Sequence, residues 1–180
     1  MWATAGVYAS TMRKFVLVFV TFLCASVAFA AAAPITSVIL VRHAEKSGAT
    51  GDVPLSQAGL ERANELVRVL ASTSIAAIYV TPYLRTEQTA GPLATAHHLQ
   101  PVVIEANDVY AKNVASAILR DHKGETVVVI GHSNTTPNVI TALGISNPPS
   151  IPDEQYDELF VVSLADGATP KLVTLKYGAK

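Results

Sequence analysis

Cysteine is almost missing from this chain: Cys24 is the one thiol in 180 residues. A lone cysteine forms no intrachain disulfide, so the hydrophobic core must hold the fold together. Thiol pairs and cysteine-ligated zinc are excluded with it. A surplus of one charge is missing too. Thirteen basic residues face 14 acidic ones, for a net charge of −1. That balance argues against a nucleic-acid or membrane-surface protein held by bulk electrostatics. No internal repeat or long linker interrupts the sequence, and the length fits one domain. Half the residues are hydrophobic, enough to fill a single core.

One long apolar run is present, near the start. Arg13-Lys14 precede the stretch Phe15 to Leu23, and Ala28-Phe29-Ala30 closes it. A basic start, an apolar centre and a small-residue end make the layout of a secretory signal. The expectation is a signal over 1–30, with a second cut available after Ala33, and one domain over 34–180. Met12 is an alternative start. An uncleaved anchor is the competing reading, and the alanine-rich end favours cleavage. Leu23 before Cys24 does not suit a lipoprotein signal. Cleavage removes the only cysteine, and with it any thiol catalysis. The expected location is periplasmic or secreted, without stable membrane association.

The rest alternates strand-like and helix-like segments. "TSVILVR" (36–42), 75–80, 102–104 and "TVVVIGH" (126–132) are short, β-branched apolar runs that read as buried strands. After Ser56, a candidate N-cap, Leu60, Ala63, Leu66, Val67 and Leu70 recur at helical spacing. Helices are predicted also over 85–97, 111–121 and 137–143. Alternation of this kind implies an α/β fold, a three-layer α/β/α sandwich on a mostly parallel sheet. The tail "LFVVSLADGATPKLVTLKYG" reads as two strands around Asp166-Gly167, an antiparallel edge hairpin. The proline-rich 146–158 is a long loop of the kind that borders sites.

In open parallel sheets, ligands bind at the carboxyl ends of the strands. Those ends carry Arg42-His43, then Arg85 in "TPYLRTEQT", then Gly131-His132-Ser133-Asn134. Two arginines and two histidines from three strands suit a phosphoryl group. Guanidinium forks match phosphate oxygens, and a neutral imidazole is a competent nucleophile. Positioning and charge stabilisation dominate phosphoryl transfer, so this set requires no metal and no other cofactor. His97, His98 and His122 have no ligand-like spacing and are read as structural or solvent-facing.

Together "VRHAEK", "LSQAG", "TPYLRTEQTA" and "VVIGHSN", across about residues 37–140, resemble the histidine phosphatase superfamily, which includes the phosphoglycerate mutases. The compact size and the "LRTEQT" block look most like small bacterial phosphatases, the phosphohistidine phosphatases among them. The resemblance implies that His43 is the nucleophile, that Arg42 and Arg85 clamp phosphate, and that His132 donates to it. Lys46 falls where the phytase-like branch has a further phosphate-binding basic residue. Ala44 stands at the family's glycine. Ser133 stands where phytase-like members carry their acid, so the proton donor must come from elsewhere. Asp108 in "IEANDVY" is the first candidate and Glu105 the second; Glu45 and Glu87 lie nearer the motifs. Glu87 otherwise faces solvent or pairs with a pocket arginine, Asn134 satisfies the next helix start, and Tyr156 and Asp157 edge the pocket.

The expected activity is hydrolysis of phosphomonoesters or phosphoramidates on a small molecule or phosphoprotein. A binding protein without turnover is the alternative. A mutase fits export less well, and the chain has no room for a clamp over the substrate. Without a second domain the pocket is expected to be shallow and open.

Overall fold

The computed structural model describes residues 33–178. The expected signal over 1–30 lies outside them. Six strands form one sheet: β1 (Thr36–Arg42), β2 (Ile75–Val80), β3 (Val102–Val103), β4 (Thr126–Gly131), β5 (Glu158–Leu164) and β6 (Lys171–Lys176). Four helices join them: α1 (Gln57–Leu70), α2 (Leu84–Ala96), α3 (Tyr110–Asp121) and α4 (Thr135–Ala142). The spatial order is β3-β2-β4-β1-β5-β6. β1, β2, β3 and β4 run parallel, whereas β5 pairs antiparallel with β1 and β6 antiparallel with β5.

Residue alternation explains the three layers. Val38 and Leu40 of β1 enter a core with Val114 and Ile118 of α3 and Val139 and Ile140 of α4. Ile39 and Val41 enter the opposite core with Leu66 and Leu70 of α1 and Leu93 of α2. A strand buried on both faces must be apolar at every position, which is why "VILV" shows no polar alternation.

The elements depart from the sequence reading mostly at their ends. The third strand is only Val102–Val103, both exposed, although Ile104 N still donates to Val80 O at 2.9 Å. An edge strand loses apolar cover on one side, so a buried-strand pattern misjudges it. The last helix begins at Thr135, two residues before the expected Pro137. Proline is tolerated in a first turn, where its missing N–H has no partner to lose.

The α1 start shows what "LSQAG" does. Ser56 caps the helix, its hydroxyl accepting from Gly59 N at 3.1 Å, while Ser56 N donates to Glu45 O at 2.8 Å. A β-carbon on Gly59 would lie 2.2 Å from that same Glu45 oxygen. Glycine therefore lets the helix press against the backbone two residues beyond His43. Leu55 and Ala63 enclose the buried Ala44 methyl. Backbone faces backbone here, so neither side yields easily. Gly59→Ala is expected to cost about 3 kcal/mol, the upper range for overpacking, and to lower Tm measurably. An unchanged Tm would contradict the close approach.

Candidate active site

The parallel register delivers the two histidines together. β1 pairs with β4 up to Arg42 opposite Gly131, and His43 N donates to Gly131 O at 2.9 Å. Both strands then turn away, leaving His43 and His132 with ring centres 5.3 Å apart. Gly131 is needed at this point, because a β-carbon would lie 2.8 Å from both Thr135 Oγ1 and Thr136 Oγ1. His132 N in turn donates to Thr135 Oγ1 at 2.8 Å. Asn134, expected to serve the helix start, makes no side-chain cap; Thr135 supplies the hydroxyl instead.

His43 Nδ1 lies 2.8 Å from the Ala44 carbonyl. A carbonyl only accepts, so Nδ1 carries the proton and Nε2 the lone pair. That is the tautomer a nucleophile requires. Ala44 N donates to Thr89 Oγ1 at 3.0 Å, and Thr89 donates to Arg85 O at 2.7 Å. The turn after His43 is thereby tied to the helix that carries the second arginine. His132 Nε2 meets Thr81 Oγ1 at 2.9 Å, and Thr81 meets Thr86 Oγ1 at 2.9 Å. "LRTEQT" is thus accounted for almost residue by residue. Arg85 faces the cleft, Thr86 and Thr89 brace the two histidine segments, Gln88 Oε1 accepts from Leu55 N, and Glu87 is exposed.

Arg42 is held from behind by the proline-rich loop. Its Nη1 donates to Pro152 O at 2.9 Å, Asp153 O at 2.7 Å and Gln155 O at 3.3 Å, and its guanidinium lies 4.3 Å from the Tyr156 ring centre. Arg85 lies 4.4 Å from the Tyr83 ring centre. The loop thus borders the site as expected, through Asp153; Tyr156 and Asp157, expected at the edge, line a separate pocket with Glu45 and Arg62.

Arg42, His43, Arg85, His132 and Lys46 line one cleft of about 270 Å³. Three buried polar atoms there have no partner: Arg42 Nε, Arg85 Nη1 and His132 Nδ1. Unpartnered buried guanidinium donors are costly, and an anion is what satisfies them. Lys46 reaches the lining, but its ammonium donates to Ala49 O at 2.8 Å.

The candidate acids are scattered. Glu45 is gripped by Arg62 through three hydrogen bonds of 2.7 to 3.0 Å. Partial burial pushes its pKa up, yet the hydrogen bonds and charge of Arg62 hold it below the ordinary value. Glu45 is therefore a fixed anion, not a proton donor. Asp108 and Glu105 are exposed on the loop that places Ala106 in the cleft wall. Two carboxylates that sequence reasoning passed over stand beside the arginines. Asp153 Oδ1 is 3.6 Å from Arg42 Nη2, and Asp52 Oδ1 is 3.7 Å from Arg85 Nη1. Both lie in loops, where no periodicity marks them. Thr81 is equally silent in sequence, a lone threonine just after the strand over 75–80.

Burial lowers the His43 pKa to about 4, with Arg42 and Arg85 adding to the effect against the Ala44 hydrogen bond. Burial and the nearby cations lower His132 to about 3. Both imidazoles are neutral at neutral pH, as nucleophilic attack needs. The linkage to stability has a definite sign. Between about pH 6.5 and 5 the unfolded chain binds protons at these histidines and the folded chain does not. Tm is expected to fall as pH drops through that window, with a smaller slope in His132→Asn. A slope that the substitution leaves unchanged would contradict the buried neutral histidine.

Paired guanidiniums around paired neutral imidazoles, at the carboxyl edge of a doubly wound sheet, make a cleft whose chemistry suits a phosphoryl group. Residues 38–107 match the histidine phosphatase superfamily (branch 1). That segment contains Arg42, His43 and Arg85; the fold brings in His132 from beyond it. A comparison with curated proteins gave no match. Among solved structures, the protein histidine phosphatase SixA complexed with tungstate is 17% identical over 78% of this chain and 96% of its own, with a TM-score of 0.61. A mycobacterial glucosyl-3-phosphoglycerate phosphatase is 14% identical over 80% of this chain and 100% of its own, with a TM-score of 0.63. Phosphoserine phosphatase from Entamoeba histolytica, in complex with 3-phosphoglyceric acid, is 17% identical over 81% of this chain and 98% of its own, at 0.58. The fold is that of the histidine phosphatases. Family match, fold and cleft together support a histidine-type phosphatase.

Proposed function

We propose that the protein is an exported phosphatase that hydrolyses phosphomonoesters or phosphoramidates through a phosphohistidine on His43, without a metal. The observation that carries this reading is the pair of unpartnered guanidinium donors, Arg42 Nε and Arg85 Nη1, beside the unpartnered Nδ1 of His132 and around a nucleophile in the right tautomer. Phosphate oxygens take these donors. His43 Nε2 attacks phosphorus in line, and the arginines absorb the charge that builds on the equatorial oxygens. Thr86 Oγ1 donates to the backbone carbonyls of Thr81 or Tyr83, so Thr81 Oγ1 donates to Thr86 and accepts from His132 Nε2–H; His132 Nδ1 donates to phosphate once the ring takes up a second proton. Water then attacks the phosphohistidine and releases inorganic phosphate. Two guanidiniums supply positive charge at the transferring phosphoryl group.

The leaving oxygen needs a proton. Asp108 is the proposed donor, with Glu105 on the same loop as the alternative. Export is supported by the Arg13 to Ala30 sequence pattern. Turnover of p-nitrophenyl phosphate in excess EDTA tests the activity. Asp108→Asn is expected to slow alkyl phosphates by about 10²-fold and p-nitrophenyl phosphate much less, since nitrophenolate leaves without a proton. Equal slowing of both would remove Asp108 from the role. Absence of turnover with any substrate would favour phosphate binding alone.

A further inference from the structure

A chain of hydroxyls decides which nitrogen of His132 carries the proton. Thr86 Oγ1 donates to Thr81 O and Tyr83 O, each at 2.8 Å. Carbonyls only accept, so the single Thr86 proton is committed to them. Thr81 Oγ1, 2.9 Å from Thr86 Oγ1, must then donate to it. Thr81 also has one proton, so toward His132 Nε2, at 2.9 Å, it can only accept. Both threonines are fully buried, which keeps bulk water from redirecting the chain. The neutral His132 ring therefore carries its proton on Nε2 and its lone pair on Nδ1. That is the reverse of His43, whose Nδ1 is the protonated atom.

His132 Nδ1 is buried and without a partner. A lone pair suits neighbouring arginines but not an anion, since phosphate oxygens are acceptors too. Two acceptors form a hydrogen bond only when a proton comes between them. The charged groups around the ring allow one. His43 faces it with ring centres 5.3 Å apart, and Tyr83 with ring centres 5.2 Å apart. Arg42, Arg85, Lys46 and Asp153 line the same cleft. Burial, and then the charge of Arg85, push the His132 pKa down to about 3, so the ring stays neutral until an anion offsets the cations. A phosphoryl dianion offsets both guanidiniums. Asp153 and Asp52, 3.6 and 3.7 Å from those guanidiniums, shift the balance further toward accepting a positive charge.

Resting on the phosphatase reading, we infer that Thr81 is a positioning residue: by holding the proton of neutral His132 on Nε2, it makes the cleft bind a phosphoryl group together with one added proton, shared between His132 Nδ1 and a phosphate oxygen. The proton enters from solvent, or on the phosphate itself as a monoanion, and no other bond changes in that step. It returns to solvent when inorganic phosphate leaves. Binding therefore tightens as pH falls toward the second pKa of phosphate.

Titration of inorganic phosphate into the protein by calorimetry, between about pH 7.5 and 9, reads this proton, because the free ion there is mostly the dianion. One proton taken up per phosphate makes Kd rise about tenfold per pH unit. Thr81→Ser keeps the hydroxyl and is expected to keep that slope. Thr81→Val removes the acceptor, so the neutral ring can move its proton to Nδ1 and donate to the dianion directly. Kd is then expected to be nearly independent of pH. Thr86→Val acts one step further back: it frees the Thr81 proton to donate to Nε2, and the same flattening is expected. A merely structural role for either threonine would weaken binding at every pH and leave the slope as it was. A flat slope in wild type, or a slope that both valine variants retain, overturns the inference; turnover of p-nitrophenyl phosphate alongside it leaves the phosphatase reading standing. Neither phosphate binding nor turnover in wild type overturns both.

Discussion

Replacing His43 by alanine is expected to lower p-nitrophenyl phosphate turnover by on the order of 10⁴-fold and to abolish any covalent phosphoenzyme. The size follows from the geometry. His43 is the imidazole whose Nδ1 is committed to a backbone carbonyl, so Nε2 is a directed lone pair. Alanine leaves the arginine clamp in place and removes only the attacking atom. Phosphate binding is therefore expected to survive while kcat collapses. Circular dichroism and inorganic phosphate calorimetry on the variant separate this from misfolding. Activity within tenfold of wild type would mean that another group attacks.

Arg42→Ala is expected to be nearly as severe, reducing kcat/KM by about 10³-fold. Two losses combine there. One is a guanidinium edge at the transferring phosphoryl group. The other is the anchor of the proline-rich loop, since one nitrogen of Arg42 holds the carbonyls of Pro152, Asp153 and Gln155. Arg42→Lys keeps the charge but not the fork, and one ammonium cannot serve the loop and the phosphate at once. It is expected to remain at least 10²-fold below wild type in kcat/KM. Near-complete rescue by lysine would show that charge alone is what Arg42 supplies, against the two-sided role derived from its contacts.

Much of this was legible in the sequence, for reasons tied to particular residues. Strands buried on both faces must be apolar throughout, so "VILV" and "VVVI" declared themselves, and their polar ends declared the site. Ser56 was legible as a cap because capping is local chemistry. The edge strand at Val102–Val103 was read one residue long, because its neighbours in space decide its burial. Contacts between loops were the least visible part. Nothing near Arg42 in sequence indicates that residues 152–155 hold it, and nothing marks Asp52 and Asp153 as companions of the arginines. Glu45 looked available as an acid until Arg62, 17 residues away, proved to bind it.

The measurement that bears most directly on the account is trapping of the covalent intermediate. The protein is mixed with a radiolabelled phosphomonoester, quenched in alkaline denaturant within one turnover, and mapped by mass spectrometry. Phosphohistidine survives base and is lost in acid. The account predicts an acid-labile, base-stable phosphoryl group on the peptide containing His43, absent from His43→Ala. Burst release of the alcohol with no label on that peptide, or a label on another residue, would contradict it.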